Sequence, residues 1–145
     1  MTIAPLASLA FDARVLSRRD YDHDRESRLS PTDLGVGWGP MRSDAIIGAL
    51  AISQSDRWQF YRWKGSPPIP PEAMLRASAN MHFIPADRGV ADVLAQVRVG
   101  DRIRVSGLLV EARAADGWTW RSSLSREDIG EGACELVYVC SMQRL

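Results

Sequence analysis

Lysine is almost missing from this chain: of 18 basic residues, only Lys64 is not arginine. Arginine favours bidentate pairing with carboxylates and stacking on aromatic rings, although a GC-rich coding sequence produces the same bias. Net charge is missing too, since 18 acidic residues balance the 18 basic ones. No overall field therefore draws nucleic acid or anionic lipid, and any such binding needs a local patch. No apolar run approaches the length of a membrane span. The opening, residues 1–11, lacks the basic leader and the long apolar stretch of a signal peptide. The expectation is a cytoplasmic protein, or the soluble domain of a membrane-tethered envelope protein whose N-terminal segment was removed.

Cysteine and histidine are scarce, which excludes several chemistries. Both cysteines, Cys134 and Cys140, fall in one strand-like run, 133–140. Six residues along a strand cover about 20 Å, against the roughly 7 Å Cα separation that a disulfide tolerates. An internal bridge is excluded, and two cysteines without a cluster build no zinc site. The acids Asp20, Asp22 and Asp24 alternate as in a calcium loop, yet the sixth and twelfth positions are Arg25 and Pro31 rather than Gly and Glu. Ser122, Ser123 and Ser125 lack the Gly-x-Ser-x-Gly elbow of a serine hydrolase, and fit turn or strand-edge serines better. No metal and no cofactor is expected.

What is present fits an ordinary folded protein of 145 residues, 46% hydrophobic and 25% charged, as a single globular domain over 1–145. Residues 9–16 predict a strand, and 17–30 a charged, solvated loop or arm. Three glycines and two prolines in 30–41 predict a structured loop that carries Trp38. Ser43 caps a short helix over 43–52, and residues 58–63 have the aromatic density of a strand. Four prolines make 64–71 a rigid connection, with a helical turn over 71–77. A short strand over 80–84 ends at Pro85. The clearest helix follows, capped by Asp87, with Val90, Val93, Leu94 and Val97 on one face and Gly100 after it. In 102–112 the apolar parity switches at Gly107, the mark of a β-bulge. Asp116-Gly117 signals a hairpin, and 133–140 closes the chain as a strand. The sum is an α+β domain: a small, strongly curved antiparallel sheet or partly open β-barrel with two or three short helices. Residues 99–109 resemble the first curved strand of OB-fold barrels.

Candidate chemistry concentrates in two places. Strand parity sets Asn80 and His82 on one face, opposite Met81 and Phe83. Cys134, His82 and Asn80 would supply a nucleophile, a base and an orienting amide, the set of a small cysteine/histidine-dependent, hydrolase-like enzyme. Against this, a strand cysteine fits a small buried hydrophobe, because no helix N-terminus or elbow activates it. A metal centred on His82 with Asp33 or Asp128 lacks any fixed ligand spacing. The second place is aromatic: Trp58, Phe60 and Arg62 alternate with Gln59, Tyr61 and Trp63. One row fits core with the other covering it. Both rows cannot be fully buried on a one-sided sheet, however, which leaves the alternative that one stacks bases or sugars.

Several motifs carry a resemblance: Ser-Pro-Thr-Asp-Leu-Gly-Val-Gly-Trp-Gly-Pro-Met at 30–41, Gln-Ser-Asp-Arg-Trp at 54–58, Ala-Asn-Met-His at 79–82, Arg-Ser-Ser-Leu-Ser-Arg at 121–126 and Gly-Ala-Cys-Glu-Leu at 132–136. Together they resemble a bacterial protein family with no assigned activity. The resemblance implies a bacterial source and parent proteins tethered to a membrane by an upstream helix; it brings no chemistry with it. The residues themselves favour a non-catalytic binding or assembly module. Its surface would be Trp38, Trp58, Arg62 and Trp63, and its partner a protein, a glycan or single-stranded nucleic acid.

Overall fold

Alternation drives the longest element. In β1 (Thr2–Asp20), Leu9, Phe11, Ala13 and Val15 share one face, which packs into the main apolar cluster. The computed structural model describes residues 1–124 and 134–145. The charged stretch expected to leave the fold at residue 17 instead stays in β1 as far as Asp20. It does so because β2 (Thr32–Gly37) pairs with it, Arg18 opposite Leu34 and Asp20 opposite Thr32. The chain turns back between them through a 3-10 turn at Glu26–Arg28.

β2 itself corrects the expectation of an irregular loop over 30–41. Every one of its residues is buried. A Cβ at Gly35 would overlap the Gln59 side chain and the Ser17 hydroxyl. The glycine that argued against a strand is therefore what lets another element lie directly on it.

Next come α1 (Asp44–Gly48), capped as expected by Ser43, and the hairpin β3 (Ala51–Ser55) and β4 (Trp58–Arg62), a two-stranded sheet of its own. α2 (Pro71–Arg76) starts on proline. β5 (Ser78–Pro85) precedes α3 (Arg88–Gln96), where the Asp87 carboxylate accepts a 2.9 Å hydrogen bond from the Val90 N–H. The chain ends with β6 (Arg102–Arg113), β7 (Thr119–Arg121) and β8 (Glu135–Arg144).

The six-stranded sheet runs β1-β2-β5-β8-β6-β7, and β1 also pairs with β6. Five strands thus curl back upon themselves. All their pairings are antiparallel except β5 with β8, so the sheet is mixed rather than purely antiparallel. With α3 joining the third and fourth ring strands, this is the plan of an OB-type Greek-key fold. The OB-like run at 99–109 lies in the fourth ring strand, not the first.

Curvature has a local cause at Gly107. There β8 carries one extra residue, Cys140, between the partners of Ser106 and Gly107, and a Cβ on Gly107 would strike the Tyr138 carbonyl. The side-switch expected in β6 does not occur. Leu109 stays inside with Ile103 and Val105, while Val110 and Ala112 bury on the outer face with Trp118 and Trp120 packed against them. Leu34, Val36, Phe83, Val137 and Val139 complete the inner cluster, and Val90 and Leu94 of α3 join it.

Candidate ligand-binding cleft

The β3–β4 hairpin presents its two aromatic rows differently. Gln59 and Tyr61 are partly buried; Trp58, Phe60 and Arg62 are exposed. A polar chain docks the inner row: Gln54 Nε2 donates to Ser17 Oγ at 2.8 Å, Ser17 Oγ to Gln59 Oε1, and Gln59 Nε2 to Tyr61 OH at 2.6 Å. Tyr61 continues it to the Ser78 hydroxyl, and burial pushes the Tyr61 phenol pKa above its ordinary value.

The hairpin turn is the structural surprise. Its two central residues, Asp56 and Arg57, both have positive φ, 51° and 69°. Two-residue hairpin loops need this conformation, but usually place glycine or asparagine in it. An arginine there costs on the order of 1 kcal/mol, and every polar group of Arg57 is used to hold it. Its N–H donates to Tyr21 OH at 2.8 Å, and its carbonyl accepts from Asn80 Nδ2 at 2.8 Å. Its guanidinium grips both oxygens of Asp24, at 2.9 and 3.0 Å, and donates to Asp33 Oδ1 at 2.6 Å. The same group lies 4.0 Å from the Tyr21 ring centroid and 5.6 Å from that of Trp120. This grip also holds the Asp24 carboxyl below its usual range.

Asp33 is wholly buried on β2, directly opposite His82 of β5. His82 Nδ1 lies 2.8 Å from Asp33 Oδ1, an ion-pair contact without the alignment of a hydrogen bond. Asn80 Nδ2 donates to the other Asp33 oxygen at 3.1 Å. Burial of the imidazole works against its charge. The Asp33 carboxylate, with a smaller contribution from neighbouring Cys134, outweighs that and raises the His82 pKa to about 9. At neutral pH the imidazole carries a proton.

These residues floor a cleft of about 330 Å³ lined by Glu26, Arg57, Trp58, His82, Thr119, Trp120, Arg121 and Cys134. Its walls come from the β1–β2 connection, the hairpin turn, β7 and Cys134. The His82 and Trp120 rings sit 5.0 Å apart, tilted by 46°. Trp120 continues to Trp118, whose ring Arg25 covers at 4.7 Å.

Of the residues singled out in the sequence, Cys134, His82 and Trp58 meet in this cleft. Asn80 stands behind it, bonded to Asp33 and Arg57. Arg62 and Trp63 are exposed at the far end of β4, outside it. Trp38 lies elsewhere, half-buried beside an apolar pocket of about 300 Å³ with Leu9, Phe11, Met81 and Leu109. Asp33, expected in an irregular loop, is a strand residue paired to histidine and arginine. Asp128 lies outside the described residues, and among the described residues no group of three or more His, Cys, Asp or Glu is placed to hold a metal ion. The sequence pattern marks Asp24 only as one of several alternating acids, and carries no local signal for the roles of Arg57 and Trp120. No helix among the described residues is long and apolar enough to cross a membrane.

No family model matches the chain, and no curated protein matches it in sequence. Among solved structures it is similar to the crystal structure of Schizosaccharomyces pombe Pot1pC bound to ssDNA (CGGTTACGGT). The identity is 12% and the TM-score 0.42, over 98% of this chain and 81% of that one. A likeness of that size carries no argument about a ligand.

Proposed function

We propose that this protein is a non-catalytic binding module that receives single-stranded nucleic acid in the Trp58–Trp120 cleft. One observation carries the reading: Trp58 and Trp120 share a single cleft with Arg121. Aromatic faces stack bases without regard to sequence, and Arg121, exposed although paired with Glu111, is the cation in reach of a phosphate. The exposed Trp58 and Phe60 extend the stacking surface along β4. OB-type folds commonly bind strands where these same inter-strand connections meet, which supports the placement by analogy alone.

The test is fluorescence anisotropy with a labelled oligothymidylate of about ten nucleotides, inside the site-size range of such folds. Trp58→Ala should weaken binding roughly 5- to 100-fold, the cost of one lost stacking partner. It should leave stability within about 0.5 kcal/mol, because the ring is already partly in water. Added salt should weaken binding further. Absence of binding in low salt, or wild-type affinity in both Trp58→Ala and Trp120→Ala, would overturn the proposal.

A further inference from the structure

The N-terminal part of β1 has a partner on one side only. Residues from Thr2 to Arg14 pair with β6, whereas pairing with β2 begins at Arg14. Among the described residues, the backbone of 2–13 therefore has no strand on its second edge. Unpaired N–H and C=O groups along such an edge form a template for another strand. By contrast, β7 is three residues long and each strand of the β3–β4 hairpin five. Proteins guard free edges with charges, prolines and bulges. Here Pro5 and the register shift beside it guard only the start of the edge. No charged side chain occurs from Thr2 to Phe11, and Ala7, Ser8 and Ala10 are exposed. The first charges beyond them are already matched, Asp12 by Arg104 at 2.8 Å and Arg14 by Asp44.

We propose that residues 7–11 of β1 pair antiparallel with the same residues of a second copy, giving a dimer in which one sheet runs through both chains. A two-fold contact lays the same residues of both chains against each other, which a charged edge resists and this uncharged one admits. Leu9 and Phe11 of the same stretch line the apolar cavity beside Trp38. An added strand sets every second side chain on that face, so a copy brings its own Leu9 and Phe11 to the cavity side. Backbone hydrogen bonds along the edge and apolar contact at alternate residues are how strand addition gains its affinity. The contact uses none of the residues that line the Trp58–Trp120 cleft, so it stands apart from the nucleic-acid reading.

Sedimentation velocity of the full chain tests it, with a dimer expected to form between about 1 and 100 µM. The double variant Ser8→Lys, Ala10→Lys sets like charges against each other on one face of the paired edges. It should weaken dimerisation at least roughly tenfold. Circular dichroism should be unchanged, because both positions are exposed. Amide hydrogen exchange on the wild-type chain supplies a second readout. Protection within 2–13 should rise with protein concentration, while β7 and the β3–β4 hairpin stay as they are. If the double variant does not fold, that profile decides alone. A monomer throughout the range would leave the edge to a strand of some other protein and overturn the proposal. Undiminished association of the folded variant, or concentration-dependent protection confined to another element, would overturn it equally.

Discussion

The two faces of β5 follow opposite physics three ångströms of backbone apart. Met81 and Phe83 point into an apolar cluster, where contact is non-directional and neighbours repack around a change. Asn80 and His82 point outward into a buried cluster of charges, Asp33, Arg57 and Asp24, where each group holds its place only through its partners. The first face makes the ring stable. The second fixes a hairpin turn in an otherwise unfavourable conformation and so shapes the cleft. Stability and site are thus built on alternate residues of a single strand.

The comparison is broken most severely from the inside. Phe83 is fully buried, and Phe83→Ala should cost about 3–5 kcal/mol through lost transfer energy and the cavity left behind. Chemical denaturation should show this as a lower midpoint with an unchanged slope.

On the outer face, Asp33→Asn should cost less, roughly 2 kcal/mol at neutral pH, because Arg57 keeps its bidentate partner Asp24. Its signature is pH dependence. The His82 pKa is raised from 6.5 to about 9 on folding. The stabilisation it brings is therefore present in full below about pH 6.5 and is lost as pH climbs through 9. Wild-type unfolding free energy should fall between those limits by at most a few kcal/mol. In Asp33→Asn that fall should largely vanish.

The same contrast explains what was legible in the sequence. Face assignments along β5, the α3 helix with its Asp87 cap and the Asp116-Gly117 turn rest on residues within a few positions of one another, so local pattern is enough. The bulge at Gly107 was located, but its extra residue lies in β8, where no pattern in β6 could show it. β2 was hidden because Gly35 answers to a hairpin that begins sixteen residues later. The charged cluster was hidden for the same reason: Arg57 finds Asp24 and Asp33 across 33 and 24 residues, and Asn80 finds Asp33 across 47. His82, Asn80, Cys134 and Asp33 could be picked out as types, but Asp33 only as a loop acid beside a metal, not as the buried strand carboxylate opposite His82.

Proton NMR on a His23→Gln chain leaves one imidazole to observe. If Asp33 and Cys134 face His82 inside the fold, its Cε1–H resonance titrates with a midpoint near 9. A midpoint at or below 6.5 would mean that burial prevails over its partners, and that Asp33 does not hold a charged imidazole in the cleft floor.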